Sequence, residues 1–331
     1  MCQYSAADGV ANDWHFVHLG SRAVGGAGIV ITEATAVAPE GRITPGCLGL
    51  WSEKHIGPLA RIATFVKQHG AVAGIQIAHA GRKASADLPW RGGAQLSEAQ
   101  GGWPTIAPSA IPFGGDLTKV PRAMTVADIL RVQNDFVATA KRALTAGFEW
   151  LELHAAHGYL FNEFLSPLTN HRTDQYGGSF ENRIRLLLDT TRAVRQIWPE
   201  HLPLAVRISA IDWMEGGWQI GDSITLAKLL KAEGVDLMDC SSGGLVPDAK
   251  ITVRPGYQVP FAEKIRQGAD IATAAVGFIT EPKQADEIVR NGQADVVLLA
   301  RQMLVDPYWP AHAAKALGHK LPPPPQYARA W

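Results

Sequence analysis

The chain is poor in the residues that staple or metallate a small fold. Its 331 residues include three cysteines, Cys2, Cys47 and Cys240. They lie far apart, match no zinc-ligand spacing and leave an odd thiol in any pairing scheme. A reducing, cytoplasmic compartment is the expectation. Neither sign of charge is in excess: Lys plus Arg number 31, Asp plus Glu number 31, and the formal net charge is +0. That excludes the basic footprint of a nucleic-acid binder and the acidic run of a disordered tail. Apolar runs such as Val296 to Ala300 are far too short to cross a bilayer, so no membrane partner is expected. No signal-peptide pattern precedes the first motif. No G-x-G-x-x-G follows an early strand, which argues against a dinucleotide-binding Rossmann unit. The GGAG stretch at 25–28 precedes a strand instead of opening a helix and reads as a turn. What the chain does have is a hydrophobic fraction of 47%, enough for a sizeable core.

Short apolar runs alternate with longer amphipathic ones. Strands are expected over 28–36, 72–79, 150–155, 204–209, 236–241, 271–277 and 295–301, mostly rich in Val, Ile and Leu as parallel strands covered on both faces should be. Helices are expected over 13–24, 56–68, 126–145, 180–197, 222–232, 259–267, 282–290 and 307–317. Repeated βα units favour an α/β fold with a parallel sheet, a (β/α)₈ TIM barrel spanning 1–331 as one domain. A barrel needs eight strands and seven are countable, so the first strand is expected largely upstream of Met1. A doubly wound open sheet is the alternative and needs no such strand. Two inserts break the rhythm, 80–122 and 156–178. Both follow strand C-termini, where a barrel places its chemistry. A Pro-rich tail, 321–331, holds four consecutive prolines and then QYARAW. Such a segment extends as a stiff spacer, projecting Tyr327, Arg329 and Trp331 away from the barrel.

The densest cluster of reactive side chains is Glu152-Leu-His154-Ala-Ala-His157-Gly-Tyr159. Two histidines that can donate hydrogen bonds and a phenol that stays protonated at neutral pH make a site for a substrate oxygen and a general acid. The bland reading is a histidine pair packed under a loop, and His-x-x-His without a neighbouring carboxylate ligand is a weak zinc signal. Gln76, among apolar neighbours on an inner strand, needs a partner, which a heteroaromatic ligand or a nearby backbone group would supply. Arg207 in AVRIS needs an anion, either a cofactor or Glu152 on the preceding strand. The last two strands end in Gly277-Phe278 and Ala300-Arg301, where this fold commonly binds phosphate; a surface arginine beside a helix start is the bland alternative. Cys47, Cys240, Trp90 and Trp103 are left as structural.

Taken together, MCQYSAADGVANDWH, TEATAVAPEGR, IQIAHAGRKA, ELHAAHGYLFNEFLSPLTNHRTDQYGGSFENR, AVRIS and ARQMLVDP resemble the old yellow enzyme family, nearest its bacterial, thermophilic-type branch. The resemblance runs the length of the chain. It implies an FMN-bearing (β/α)₈ barrel that oxidises NADPH or NADH and reduces electrophilic alkenes, small α,β-unsaturated carbonyl compounds, with nitro compounds as further substrates. It implies that His154 and His157 hold the substrate carbonyl and that Tyr159 donates the proton. Met1, Cys2, Ala34, Gln76 and Arg207 would lie against the flavin, with Gly277, Phe278, Ala300 and Arg301 at its phosphate and Tyr4 on the substrate side. The branch also implies self-association, Arg329 of the tail entering the adjacent subunit's pocket. Two departures stand out: the family's strand ahead of MCQY is not in the chain, and Ala300 replaces the family's usual glycine, adding a methyl group near the phosphate. An inactive flavin-binding remnant and a metal-dependent hydrolase using His154, His157 and a carboxylate are the competing readings.

Overall fold

In the computed structural model, which describes residues 1–329, all seven expected strands join one parallel sheet. In chain order the strands are β1 (Ile29–Ala36), β2 (Val72–Ala78), the two-residue β3 (Ile106–Ala107) and β4 (Arg122–Ala123), β5 (Trp150–Ala155), β6 (Leu204–Ser209), β7 (Leu237–Ser241), β8 (Ala272–Ala275) and β9 (Val296–Val297). The sheet runs β1-β2-β5-β6-β7-β8-β9, while β3 and β4 pair with each other inside the first insert. The helices are α1 (Asp13–Val24), α2 (Ile56–Gln68), α3 (Val126–Thr145), α4 (Leu160–Leu165), α5 (Phe180–Arg195), α6 (Ile220–Ala232), α7 (Val259–Ala269), α8 (Pro282–Arg290), α9 (Arg301–Val305) and α10 (Trp309–Ala316). Several start where the side chains dictate. Thr125 and Asp128 form a reciprocal capping box at the head of α3, and the Ser179 hydroxyl accepts from the Asn182 amide at the head of α5.

Among the described residues β1 and β9 each pair with one sheet neighbour only, and the outer edge of β1 carries a single bridge, Ala36 to Gly49. The last strand is shorter than expected. Val296–Val297 ladder onto β8, and Arg301 is the first residue of α9 instead of the end of a strand. An edge strand with a ladder on one side only is cut short more readily than a central one. The single helix expected over 307–317 is preceded by the separate α9. Asp306 and Pro307 interrupt the run, because proline has no N–H to continue a helix ladder.

Strand alternation sorts the inner face. β5 sends Trp150, Glu152 and His154 inward, β6 sends Ala205, Arg207 and Ser209, and β7 sends Leu237, Asp239 and Ser241. Trp150, Ala205, Leu237 and Ala274 pack as an apolar plug at the base, and the polar residues follow above it. The larger apolar core lies between the sheet and the helices.

Both inserts are anchored by arginines, Arg82 buried and Arg172 partly so. Arg82 donates to the carbonyls of Leu245 (2.7 Å) and Pro112 (3.1 Å), and Arg172 donates to that of Pro108 (3.1 Å). Trp103 donates its indole N–H to the Glu40 carbonyl, as a packed loop tryptophan should, whereas Trp90 is largely exposed and meets Tyr4 edge-on. The tail differs from the extended spacer expected. Pro325–Tyr327 turn in a short 3₁₀ helix, and the Tyr327 hydroxyl hydrogen-bonds Tyr308 of the same chain, so Tyr327 returns to the start of α10. Arg329 is exposed, and Trp331 lies outside the described residues. No helix among the described residues is long and apolar enough to cross a membrane.

Candidate active site

A cavity of about 870 Å³ opens at the C-terminal end of the strands and runs down between β1 and β9. It gathers nearly every residue that the sequence singled out. His154, His157 and Tyr159 come from the end of β5; Gln76 and Arg207 lie below them; Met1, Cys2, Tyr4 and Ala34 form one side; Gly277, Phe278, Ala300 and Arg301 form the other. Arg329 does not line it.

The histidines and the tyrosine are held as a unit. The His154 ring sits 5.2 Å from the His157 ring and 5.0 Å from the Tyr159 ring, each nearly perpendicular. His154 Nδ1 lies 3.3 Å from the Ala156 amide, which donates to it, so Nε2 carries the ring proton. His157 has a left-handed backbone, φ 60°, fixed by its amide donating to Ser209 Oγ at 2.9 Å. Its Nε2 lies 2.7 Å from Ser241 Oγ. Burial, then Arg207, hold both imidazoles well below the ordinary histidine pKa, so they are neutral donors. Burial, with Cys2 and Tyr4 nearby, pushes the Tyr159 phenol well above its usual value, so it keeps its proton. Lys83 packs behind this group. Its ammonium bonds the carbonyls of His157 (2.9 Å) and Gly244 (3.1 Å) over the faces of Phe113 and Tyr159, and burial lowers its pKa to about 8.

Below lies a charged layer. Gln76 Nε2 donates to Glu152 Oε1 at 2.6 Å, a carboxyl partner that sequence reasoning did not name. Arg207 Nε approaches Asp239 Oδ2 at 3.1 Å. Its ion partner is therefore Asp239 on β7 and not Glu152, because the register places Arg207 beside Asp239. Asp239, Ser241 and Gln258 were missed by sequence reasoning. An aspartate two residues before a serine in the apolar strand LMDCS was the available signal, since that spacing puts both on one face.

On the β1 side, the Gln3 amide donates to Glu33 Oε2 (2.8 Å) and the Ala6 amide to the Gly46 carbonyl, which lays Cys2 and Tyr4 along the cavity. Burial pushes the Cys2 thiol up, so it is not a thiolate. On the other side Gly277 has φ 115°, and a Cβ there would meet Gln258 at 2.9 Å. This is a turn that requires glycine and leaves its backbone open to the cavity. Phe278 follows at φ 54°, and the Arg301 side chain is exposed nearby. Among the described residues no group of three or more His, Cys, Asp or Glu side chains is arranged to hold a metal ion.

Comparison with known proteins agrees with this arrangement. A family model described as the NADH:flavin oxidoreductase / NADH oxidase family matches residues 1–320. The NADPH dehydrogenase of Geobacillus sp. (strain WCH70) is 52% identical over 333 residues, covering 100% of this chain and 92% of that one. Among solved structures, a 2-naphthoyl-CoA reductase complex with 2-naphthoyl-CoA superposes with TM-score 0.86 at 27% identity, covering 96% of this chain and 49% of that one, so the chain spans about half of that protein. An old yellow enzyme homologue from Zymomonas mobilis superposes with TM-score 0.75 at 27% identity, covering 97% of this chain and 87% of that one. The chain is an oxidoreductase and belongs to the NADH:flavin oxidoreductase / NADH oxidase family, in the old yellow enzyme group that its motifs resemble.

Proposed function

We propose that the cavity holds FMN and that the protein reduces the activated C=C bond of α,β-unsaturated carbonyl compounds at the expense of NADPH or NADH. The cavity walls suit this cofactor. Arg207 presents a guanidinium to the cavity and Gln76 an amide, the groups that a flavin's pyrimidine edge can bond. The glycine turn at Gly277 and the cation of Arg301 suit a phosphate, with Phe278 and Ala300 beside them. When bound, FMN supplies hydride chemistry, taking a hydride from the nicotinamide and giving it to the β-carbon of the substrate.

The chain's own residues do the rest. His154 and His157 hold the carbonyl oxygen with neutral N–H donors, which favours negative charge building there as the β-carbon is attacked. Tyr159 gives its phenolic proton to the α-carbon and recovers one from solvent. Tyr4 walls the substrate side, and Met1, Cys2 and Ala34 pack the cofactor face. Barrel closure belongs to the same reading: the slot between β1 and β9 is the place of an eighth strand, which would complete a single TIM-barrel domain over the chain. The tail, with Arg329 exposed, is read as a self-association element serving a neighbouring pocket, and three unpaired thiols suit a cytoplasmic enzyme.

The observation that carries the proposal is the convergence of His154, His157 and Tyr159 at one cavity mouth above Arg207 and Gln76. Stopped-flow measurement of the two half-reactions tests it. Tyr159→Phe is expected to slow reoxidation by an enone ~10²–10⁴-fold while leaving reduction by the nicotinamide unchanged. Equal rates in both half-reactions for variant and parent would remove Tyr159 from the mechanism.

A further inference from the structure

The layer beneath the active site holds two carboxyl groups and one guanidinium, all in contact with neighbouring strands. Glu152 on β5 and Asp239 on β7 are 1% and 0% exposed. Glu152 Oε1 accepts from Gln76 at 2.6 Å and its Oε2 has no hydrogen-bond partner. Asp239 Oδ2 lies 3.1 Å from Arg207 Nε, an ion contact that is not aligned as a hydrogen bond, and Oδ1 has no partner. Among the described residues Asp239 and Arg207 are the charged groups that act on Glu152. β1 contributes Ala34, β8 Ala274, and the histidines above are neutral. Two ionised carboxylates beside one cation would leave a net negative charge on groups with almost no exposed surface, which is strongly disfavoured. The geometry separates the two acids, because Asp239 touches the guanidinium whereas Glu152 touches only an uncharged amide.

We propose that Glu152 holds a proton at neutral pH and acts as the neutral positioning residue for Gln76, while Asp239 carries the one charge that balances Arg207. The floor of the cavity is then electrically neutral. Arg207 is held by a single carboxylate, and the rest of its guanidinium, with no protein hydrogen bond among the described residues, faces whatever lies above. Consistently, burial and the neighbouring Asp239 raise Glu152 to a pKa of about 8. This assignment concerns the protein's own residues and stands independently of which ligand fills the cavity.

The test compares the parent with Glu152→Gln and Asp239→Asn by thermal unfolding across pH and by the infrared absorption of protonated carboxyl groups. A group protonated in the folded state and ionised in the unfolded one makes stability fall as pH rises from the ordinary carboxylate range to about 8, and flat above it. Glu163, also buried and raised to about 8, contributes the same trend, so the readout is the difference between parent and variant. Glu152→Gln is expected to remove part of that decline, with the linkage of a single proton lost, and to delete one protonated-carboxyl band at pH 7. Asp239→Asn is expected to weaken that band, because with the neighbouring carboxylate gone Glu152 ionises as the counter-charge of Arg207. An unchanged band and unchanged pH slope in Glu152→Gln would overturn the assignment. So would failure of Glu152→Gln to fold, since a carboxamide replaces a neutral carboxyl closely.

Discussion

Strands β5, β6 and β7 and the edge strands β1 and β9 wall one cavity by different means. The central three are laddered on both sides and buried, and their inner faces change from the apolar Trp150, Ala205 and Leu237 to Glu152, Arg207, Asp239, His154 and Ser241. The edges turn partly buried apolar side chains to the cavity, Ile29 and Ile31 of β1 and Val296 of β9 with Leu298 just beyond it, and each edge strand is laddered on one side. A polar constellation keeps its geometry where neighbouring strands hold its backbone on both sides, while an edge serves better as a broad wall. In the proposed reading the centre performs the chemistry and the edges accommodate the cofactor.

The strongest way to break that division is to remove the donors of the centre. His154→Ala with His157→Ala takes away two hydrogen bonds to a developing oxyanion. At ~1.5–3 kcal/mol each, phenol and enone binding should weaken by roughly 10²–10⁴-fold, read from titration of the oxidised flavin spectrum with a phenol. The parent's phenol affinity should also be flat from pH ~8 down through ~6.5, the ordinary histidine value, because both rings stay neutral in the folded protein. The same lowered pKa values mean that the unfolded chain takes up protons the folded one refuses, so this contribution to stability is present above ~6.5 and declines as pH falls below it. A phenol affinity that changes with pH across that window would reassign the donors.

A smaller effect is expected at the edge. Arg301→Ala removes one charge-assisted contact to phosphate, so FMN should bind roughly 10–100-fold more weakly, while riboflavin, which has no phosphate, should be little affected. Equal losses for both ligands in equilibrium titrations would place Arg301 elsewhere. The smallest effect concerns motion. Backbone amides of β1 and β9 should exchange hydrogen at least ~10-fold faster than those of β5–β7, since a one-sided ladder opens more easily. Uniform protection across the sheet would erase the comparison.

Much of this was legible from residue order alone. Parallel strands covered on both faces write themselves as Val- and Ile-rich runs, so all seven were placed, and His154, His157 and Tyr159 stood out because polar groups ending an apolar strand have few other uses. Contacts across the sheet were harder to read. Arg207 looked as well matched to Glu152 as to any acid, and only the register, which sets it beside Asp239, decided the pairing. Edges were the other weakness. Val296–Val297 is far shorter than its apolar run suggested, and the four prolines gave stiffness without direction, so the return of Tyr327 to Tyr308 could not be foreseen.

The central claim, that this cavity carries a flavin which passes reducing equivalents from a nicotinamide to an enone, is tested most directly by one anaerobic titration. Protein supplied with FMN and freed of excess should be yellow, bleach on addition of NADPH or NADH, and regain its colour when an α,β-unsaturated ketone is added, with the saturated ketone as product. Protein that retains no FMN, or that bleaches and is not reoxidised by the enone, would contradict it.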